Sequence, residues 1–190
     1  MSRTLTKVCG SLPSRIFRSG IAKRFRRNEN GSAAIEFGVV ALPFFALLFA
    51  IIQTALVFFG SQILETATGD AARLIMTGQA QMQNFDAAQY KTNVCSRIKG
   101  LMSCDGISVD VQSYPNFAAA NFSRPVDAEG KLAKNSFQFS PGSAGDIVVV
   151  RVMYEFPIFV SLFGLDGLAD MPDNKRLLIA TSAFRNEPYL

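Results

Sequence analysis

The chain has 190 residues, of which 49% are hydrophobic, and a formal net charge of +4. This length allows one modest domain beside a membrane anchor, but not two domains. The sequence contains no histidine, which removes the commonest general base and the commonest metal ligand. It also shows no CxxC pair, no GxSxG and no phosphate-binding glycine loop, so we expect no enzymatic activity, no cofactor and no metal site.

The positive charge is concentrated at the N-terminus. Residues 1–31 contain eight Lys or Arg against one Glu, whereas residues 32–190 are net negative. A basic run before an apolar helix fits the positive-inside rule better than nucleic-acid binding, so we predict no nucleic-acid partner. We interpret residues 1–30 as a basic cytoplasmic leader, either solvated or lying on the anionic inner leaflet.

Residues 37–59 form an apolar run of 23 residues without a charge, in which Gln53 and Thr54 are the only polar side chains. A helix of this length spans about 35 Å, enough to cross a hydrocarbon core of about 30 Å. We therefore predict one membrane-spanning helix with the chain after Gly60 in the bacterial periplasm. The run is too long for an ordinary secretory signal. Pro43 predicts either a harmless kink or a role in assembly.

Beyond the run, apolar residues continue at helical spacing, which predicts that the helix extends into the periplasm as far as Thr77-Gly78. A second helix is predicted over residues 85–102, with Asn84 as its N-cap. Cys95 falls on this helix and Cys104 just past its end. Because the periplasm is oxidising, we favour a disulfide between these two cysteines over two buried free thiols.

The remainder of the chain is predicted to form strands at three places, residues 106–111, 146–156 and 177–184. The expected fold class is therefore α+β, with a long N-terminal transmembrane helix, a second helix and a small, mainly antiparallel sheet. Residues 115–145 are a long connection, which indicates a functional lobe, a mobile segment or a short strand at 136–139. Residues 159–168 are apolar and predict either a contact with the membrane surface or part of the core.

Near the start of the apolar run the sequence resembles the processing site of type IV prepilins, in the form found in the tight-adherence (Tad/Flp) system. The resemblance rests on Gly31, four intervening residues, Glu36-Phe37 and the apolar helix behind them. It implies cleavage between Gly31 and Ser32 by a prepilin peptidase. Glu36 would then be the fifth residue of the mature chain and would pair with the N-terminal amine of a neighbouring subunit. The alternative is that Glu36 only complements the helix dipole.

The C-terminal half resembles TadE-like proteins in two further places, Val150 to Pro157 (VRVMYEFP) and Ala180 to Pro188 (ATSAFRNEP). Together these resemblances imply a TadE-like minor pilin, or pseudopilin. They divide the chain into a leader at residues 1–31, a transmembrane helix at 32–60 and a periplasmic TadE-like α+β domain at 61–190. The implied location is the inner membrane, as a single-pass protein, or the pilus itself.

The function implied is a structural one, in pilus assembly or adhesion. The expected partners are a prepilin peptidase, other pilin and pseudopilin subunits, the Tad inner-membrane assembly platform and the lipid bilayer. Two alternatives stay open, an uncleaved single-pass scaffold of the pilus secretion machine and a membrane-tethered periplasmic binding module that uses residues 115–145. We interpret Asp166 and Asp170 as turn residues, because their spacing lacks the ligand density of a calcium loop.

Overall fold

The computed structural model describes residues 31–98, 100, 102–159 and 165–188. The predictions made for residues 1–30 lie outside this part of the chain. The chain divides after Phe45 into two compact units. The described part of the first unit is helical, and the second contains the rest of that helix, two further helices and a three-stranded sheet. The predicted α+β class is confirmed.

The longest element is helix α1, Ser32–Met76, a continuous helix of 45 residues that contains Pro43. It combines the predicted apolar run with the predicted amphipathic extension. In the extension the buried residues recur at helical spacing: Leu64, Ala67, Ala71 and Ile75. The helix ends because Gly78 adopts a left-handed conformation with φ 76°, which glycine tolerates without steric cost.

Two helices follow, α2 at Gln79–Met82 and α3 at Ala87–Ile98. The prediction that Asn84 caps the second helix is wrong. Asn84 has φ 51°, and Asp86 is the cap: its Oδ1 accepts the Gln89 N–H at 2.7 Å, while Gln89 Oε1 accepts the Asp86 N–H at 3.1 Å. This reciprocal arrangement needs Gln or Glu three residues after the cap, which Asp86 has and Asn84 lacks.

The second helix is also shorter than predicted. It ends at Ile98 rather than near residue 102, and Gly100 beyond it has φ 103°. A backbone with this φ cannot continue a right-handed helix, and glycine is the residue that adopts it most readily.

The sheet has the order β1-β2-β3 and is antiparallel throughout. Its strands are β1 at Ile107–Tyr114, β2 at Ile147–Pro157 and β3 at Lys175–Arg185. All three predicted strands are present, with boundaries that differ by a few residues. Strand β2 is central and almost entirely buried, which explains why its sequence is apolar on both faces apart from Arg151 and Glu155.

The two faces of the sheet are covered by different parts of the chain. Val148, Val150 and Val152 belong to the main core with the helices, whereas Met153 and Leu177 pack with Leu132 on the other face. The second face is thus covered by the long connection predicted at residues 115–145. The short strand considered at residues 136–139 is reduced to an isolated parallel bridge between Phe139 and Val111.

Candidate assembly site

The residues of the prepilin-like motif lie together at the start of α1. Gly31 directly precedes the helix and is exposed, and Ser32 is its first residue. A Cβ placed on Gly31 would meet no atom of the described residues within 4 Å. A methyl group at Gly31 would therefore not clash with the part of the chain that the structure describes.

Glu36 lies one turn further along the same helix and is exposed. The Ser32 hydroxyl donates to Glu36 Oε1 at 3.3 Å. Glu36 lies just past the first turn of the helix, where the favourable interaction of a carboxylate with the helix dipole is already weakened. The neighbouring Phe37 side chain is 72% exposed. The motif thus presents one carboxylate and one aromatic ring on the first turns of an uncovered helix.

The apolar run behind the motif is exposed as well. Among the described residues α1 is the one helix long and apolar enough to cross a membrane. The exposed side chains include Val39, Val40, Leu42, Phe44, Phe45, Leu47, Phe49 and Ile51. An apolar surface this extensive is unfavourable in water and requires lipid or other helices as its surroundings.

The two polar side chains of the run are both engaged. The Thr54 hydroxyl donates to the Ala50 carbonyl of its own helix at 2.8 Å. Gln53 is only 3% exposed, and its Oε1 accepts the backbone N–H of Phe159 at 3.2 Å. Its Nε2 has no hydrogen-bond partner among the described residues. The contact between Gln53 and Phe159 was not predicted from the sequence, although a single amide inside an apolar helix is a sign that it has a partner elsewhere.

The structure joins Cys95 of α3 to Cys104 by a disulfide, with the two Cα atoms 5.5 Å apart. Cys104 begins a short 3₁₀ turn that leads directly into β1. The bond therefore fixes the end of α3 to the start of the sheet. Closing a loop of about ten residues contributes about 2–3 kcal/mol in the chain-entropy account.

A buried ion pair lies on the sheet face opposite the helices, and sequence reasoning missed it. The Asp110 side chain is fully buried and the Arg151 side chain is 9% exposed. Arg151 Nε donates to Asp110 Oδ2 at 3.0 Å, and its Nη1 donates to the Ser123 carbonyl at 3.0 Å. The Gln138 N–H donates to Asp110 Oδ1 at 2.9 Å. The pair therefore holds the long connection at two points.

Two further groups of charges fix the connection and the last strand. Asp170, predicted to be a turn residue, pairs with Arg124 at 2.6 Å and accepts the Leu177 N–H at 2.8 Å. The Asp166 side chain lies outside the described part. On β2, the hydrogen bond from Lys175 holds the pKa of the Glu155 carboxyl below its ordinary value, and the same contact raises the pKa of Lys175.

The C-terminal RNEP stretch has a structural role. Asn186 is buried, and its Nδ2 donates to the carbonyls of Pro141 and Ser143 at 2.9 and 3.0 Å. The Glu187 N–H donates to the Met76 carbonyl at 2.9 Å. These contacts tie the residues after β3 to the long connection and to the end of α1.

No three His, Cys, Asp or Glu side chains among the described residues gather as a metal site would require. The geometry instead brings Gly31, Ser32, Glu36 and Phe37 together at the exposed end of an apolar helix. Such a surface can be recognised by a protease and can pack against other helices.

Comparison with protein families identifies the same part of the chain. The family model described as TadE-like protein matches residues 31–73. The chain carries a TadE-like segment. The match begins at Gly31 and ends within α1, so it covers less than a quarter of the sequence and leaves the sheet outside it. No curated protein and no solved structure matches significantly.

The family match confirms the resemblance read from the motif. It is consistent with a TadE-like protein of the Tad pilus system and links the chain to pilus assembly. With α1, the match fits a single-pass membrane protein that works with other components of the pilus.

Proposed function

We propose that this chain is a minor pilin, or pseudopilin, of the Tad system, made as a prepilin and cleaved between Gly31 and Ser32 by a prepilin peptidase. It acts structurally, in assembly of the pilus or in adhesion. The observation that carries the proposal is the position of Gly31 and Glu36 at the open start of an exposed apolar helix, inside the TadE-like segment.

The assembly step follows from the electrostatics of the motif. Cleavage would create an amine on Ser32, and α1 would move from lipid into a bundle of pilin helices. In such a low-dielectric bundle an amine and a carboxylate attract each other strongly, whereas either charge alone is penalised. The present partner of Glu36 is a hydroxyl at 3.3 Å, and a carboxylate keeps further acceptor sites for a neighbour's amine.

The proposed topology places residues 1–31 in the cytoplasm, residues 32–60 in the inner membrane and residues 61–190 in the periplasm. The basic leader supports this orientation through the positive-inside rule. The disulfide between Cys95 and Cys104 supports it independently, because structural disulfides persist in the oxidising periplasm.

The processing step can be tested with purified full-length chain and a prepilin peptidase in detergent, with intact mass as the readout. We expect one product that begins at Ser32, and we expect Gly31→Ala to block its formation. Gly38→Ala is the matched control, because among the described residues a Cβ at either glycine meets no atom within 4 Å. Equal cleavage of both variants at the same bond would contradict a requirement for Gly31.

The role of Glu36 requires a different readout, namely co-purification of the processed chain with other pilin subunits. We expect Glu36→Gln to be processed but to lose this association, because an amide cannot neutralise a buried amine. Glu65→Gln is the control, since Glu65 is also an exposed carboxylate of α1. If Glu36→Gln still associates with the other subunits, the role left for Glu36 is its interaction with the helix dipole.

The uncleaved scaffold is the second candidate, and it is favoured by the hydrogen bond that already gives Glu36 a local partner. It predicts a full-length chain in the inner membrane in every sample. The tethered binding module predicts that substitutions in residues 115–145 abolish activity without changing assembly. The contacts of Asp110 and Arg151 with this connection favour a covering of the sheet over a free binding loop.

A further inference from the structure

Ile158 and Phe159, the two described residues that directly follow β2, form an apolar tip beside α1. Ile158 is 6% exposed, whereas the Phe159 ring is 74% exposed. The tip contacts α1 at Gln53, which belongs to the apolar run and not to the amphipathic extension. A part of the folded domain therefore reaches a level of the helix that its composition assigns to the membrane.

The backbone at this tip is hydrogen-bonded within the protein. The Ile158 N–H donates to the Asn174 carbonyl at 2.9 Å, and Asn174 Nδ2 donates to the Ile158 carbonyl at 3.4 Å. The Phe159 N–H donates to Gln53 Oε1 at 3.2 Å. Irregular backbone at membrane depth is tolerated only where the protein supplies such partners. This requirement accounts for a buried amide in an otherwise apolar stretch.

The depth of the tip follows from two counts along the helix. A hydrocarbon core of about 30 Å takes about 20 helical residues, and the uncharged run of 23 residues at 37–59 supplies them. Gln53 also lies six residues before the end of the run at Phe59, which is about 9 Å along a helix. The charged Asp173 and Lys175 flank Asn174, and charges belong at the headgroups. The tip therefore lies at the boundary between hydrocarbon and headgroups.

We propose that Phe159 inserts into the periplasmic leaflet of the inner membrane, and that Gln53 positions it by accepting its backbone N–H. The partner is the lipid itself, at the junction of acyl chains and headgroups. The proposal rests on the membrane-spanning placement of α1 in the proposed function, but not on cleavage at Gly31. Besides α1, Phe159 is then a second contact of the chain with lipid, and this contact fixes the orientation of the domain relative to the membrane.

The chain contains no tryptophan, so a single introduced tryptophan reports on one position. Phe159→Trp would be reconstituted as full chain in phosphatidylcholine vesicles brominated either near the headgroup or near the end of the acyl chain. Phe44→Trp reports on the membrane helix, and Phe122→Trp reports on an exposed phenylalanine of the domain, 58% exposed in the native chain.

We expect the shallow bromines to quench the tryptophan of Phe159→Trp, the deep bromines to quench that of Phe44→Trp, and neither to quench that of Phe122→Trp. The proposal is overturned if bromines quench the tryptophan of Phe44→Trp but leave that of Phe159→Trp as unquenched as that of Phe122→Trp. Phe159 would then be free to contact another protein. If Phe44→Trp is also unquenched, the membrane placement in the proposed function fails as well.

The positioning role of Gln53 is tested in the Phe159→Trp background. Gln53→Met keeps a similar volume but removes the acceptor, so the shallow quenching should fall toward the value measured for Phe122→Trp, and Gln53→Glu should restore it. Thr54→Val is the matched control, because the Thr54 hydroxyl donates within its own helix. Unchanged quenching in Gln53→Met, with native circular dichroism, would remove Gln53 from the proposal.

Discussion

The ion pair of Asp110 and Arg151 gives the sharpest prediction for the stability of the domain. The perturbation is Arg151→Met, which keeps an unbranched side chain and removes the charge. Because the Asp110 side chain is fully buried and that of Arg151 is 9% exposed, the substitution leaves a carboxylate without its counter-ion in the interior. Breaking a buried pair in this way costs about 3–5 kcal/mol, a large part of the roughly 5–15 kcal/mol that stabilises a domain.

The assay is equilibrium urea unfolding of the full chain in detergent, followed by the circular dichroism of the sheet. Arg124→Met is the matched control, because the Arg124–Asp170 pair is 42% and 29% exposed and an exposed pair contributes only about 0.2–1 kcal/mol. The double variant Asp110→Leu/Arg151→Met should recover most of the loss, since apolar replacement of a buried pair is often neutral. If Arg151→Met loses no more than Arg124→Met, the reasoning about burial is refuted.

Three further predictions concern packing, the disulfide and pH. Gly60→Leu should cost about 1–3 kcal/mol by overpacking, because a Cβ at Gly60 already lies 3.1 Å from Met102 Cε. Gly69→Leu should cost nothing in the same melts, because a Cβ at Gly69 meets no atom of the described residues within 4 Å. Cys104→Ser should lower the free energy of unfolding by about 2–3 kcal/mol, and reduction of the native chain should have the same effect but none on the variant. Lys175 holds the pKa of Glu155 below 4.5. The contact between these two residues therefore stabilises the folded chain above pH 4.5, and this stabilisation is lost as the pH falls through the lowered pKa of Glu155. The stability difference between native chain and Glu155→Gln should vanish over that acid range, and a constant difference would exclude the contact as its cause.

The sequence predicted those parts of the fold whose pattern is local. The apolar run and its amphipathic extension determine α1, and the dense Val-rich stretch determines β2, because helix and strand periodicities are carried by neighbouring residues. The error at Asn84 has a local cause too. Asn and Asp are similar as single caps, and only the Gln three residues after Asp86 decides between them.

The contacts that the sequence did not predict join distant residues. Asp110 and Arg151 are 41 positions apart, and Gln53 and Phe159 are 106 apart. Their pairing depends on the register of β1 with β2 and on where β2 ends beside α1, and no local pattern encodes either. The motif at the start of α1 was predictable for the opposite reason, since Gly31, Ser32, Glu36 and Phe37 need only one helix to bring them together.

The N-terminal residue of the chain, determined after purification from cells with and without their prepilin peptidase, tests the central claim most directly. If the chain is a processed prepilin, it begins at Ser32 in the first cells and is full-length in the second. A chain that keeps its leader in both would contradict the minor-pilin assignment. The uncleaved single-pass scaffold would then be the better account of the TadE-like segment.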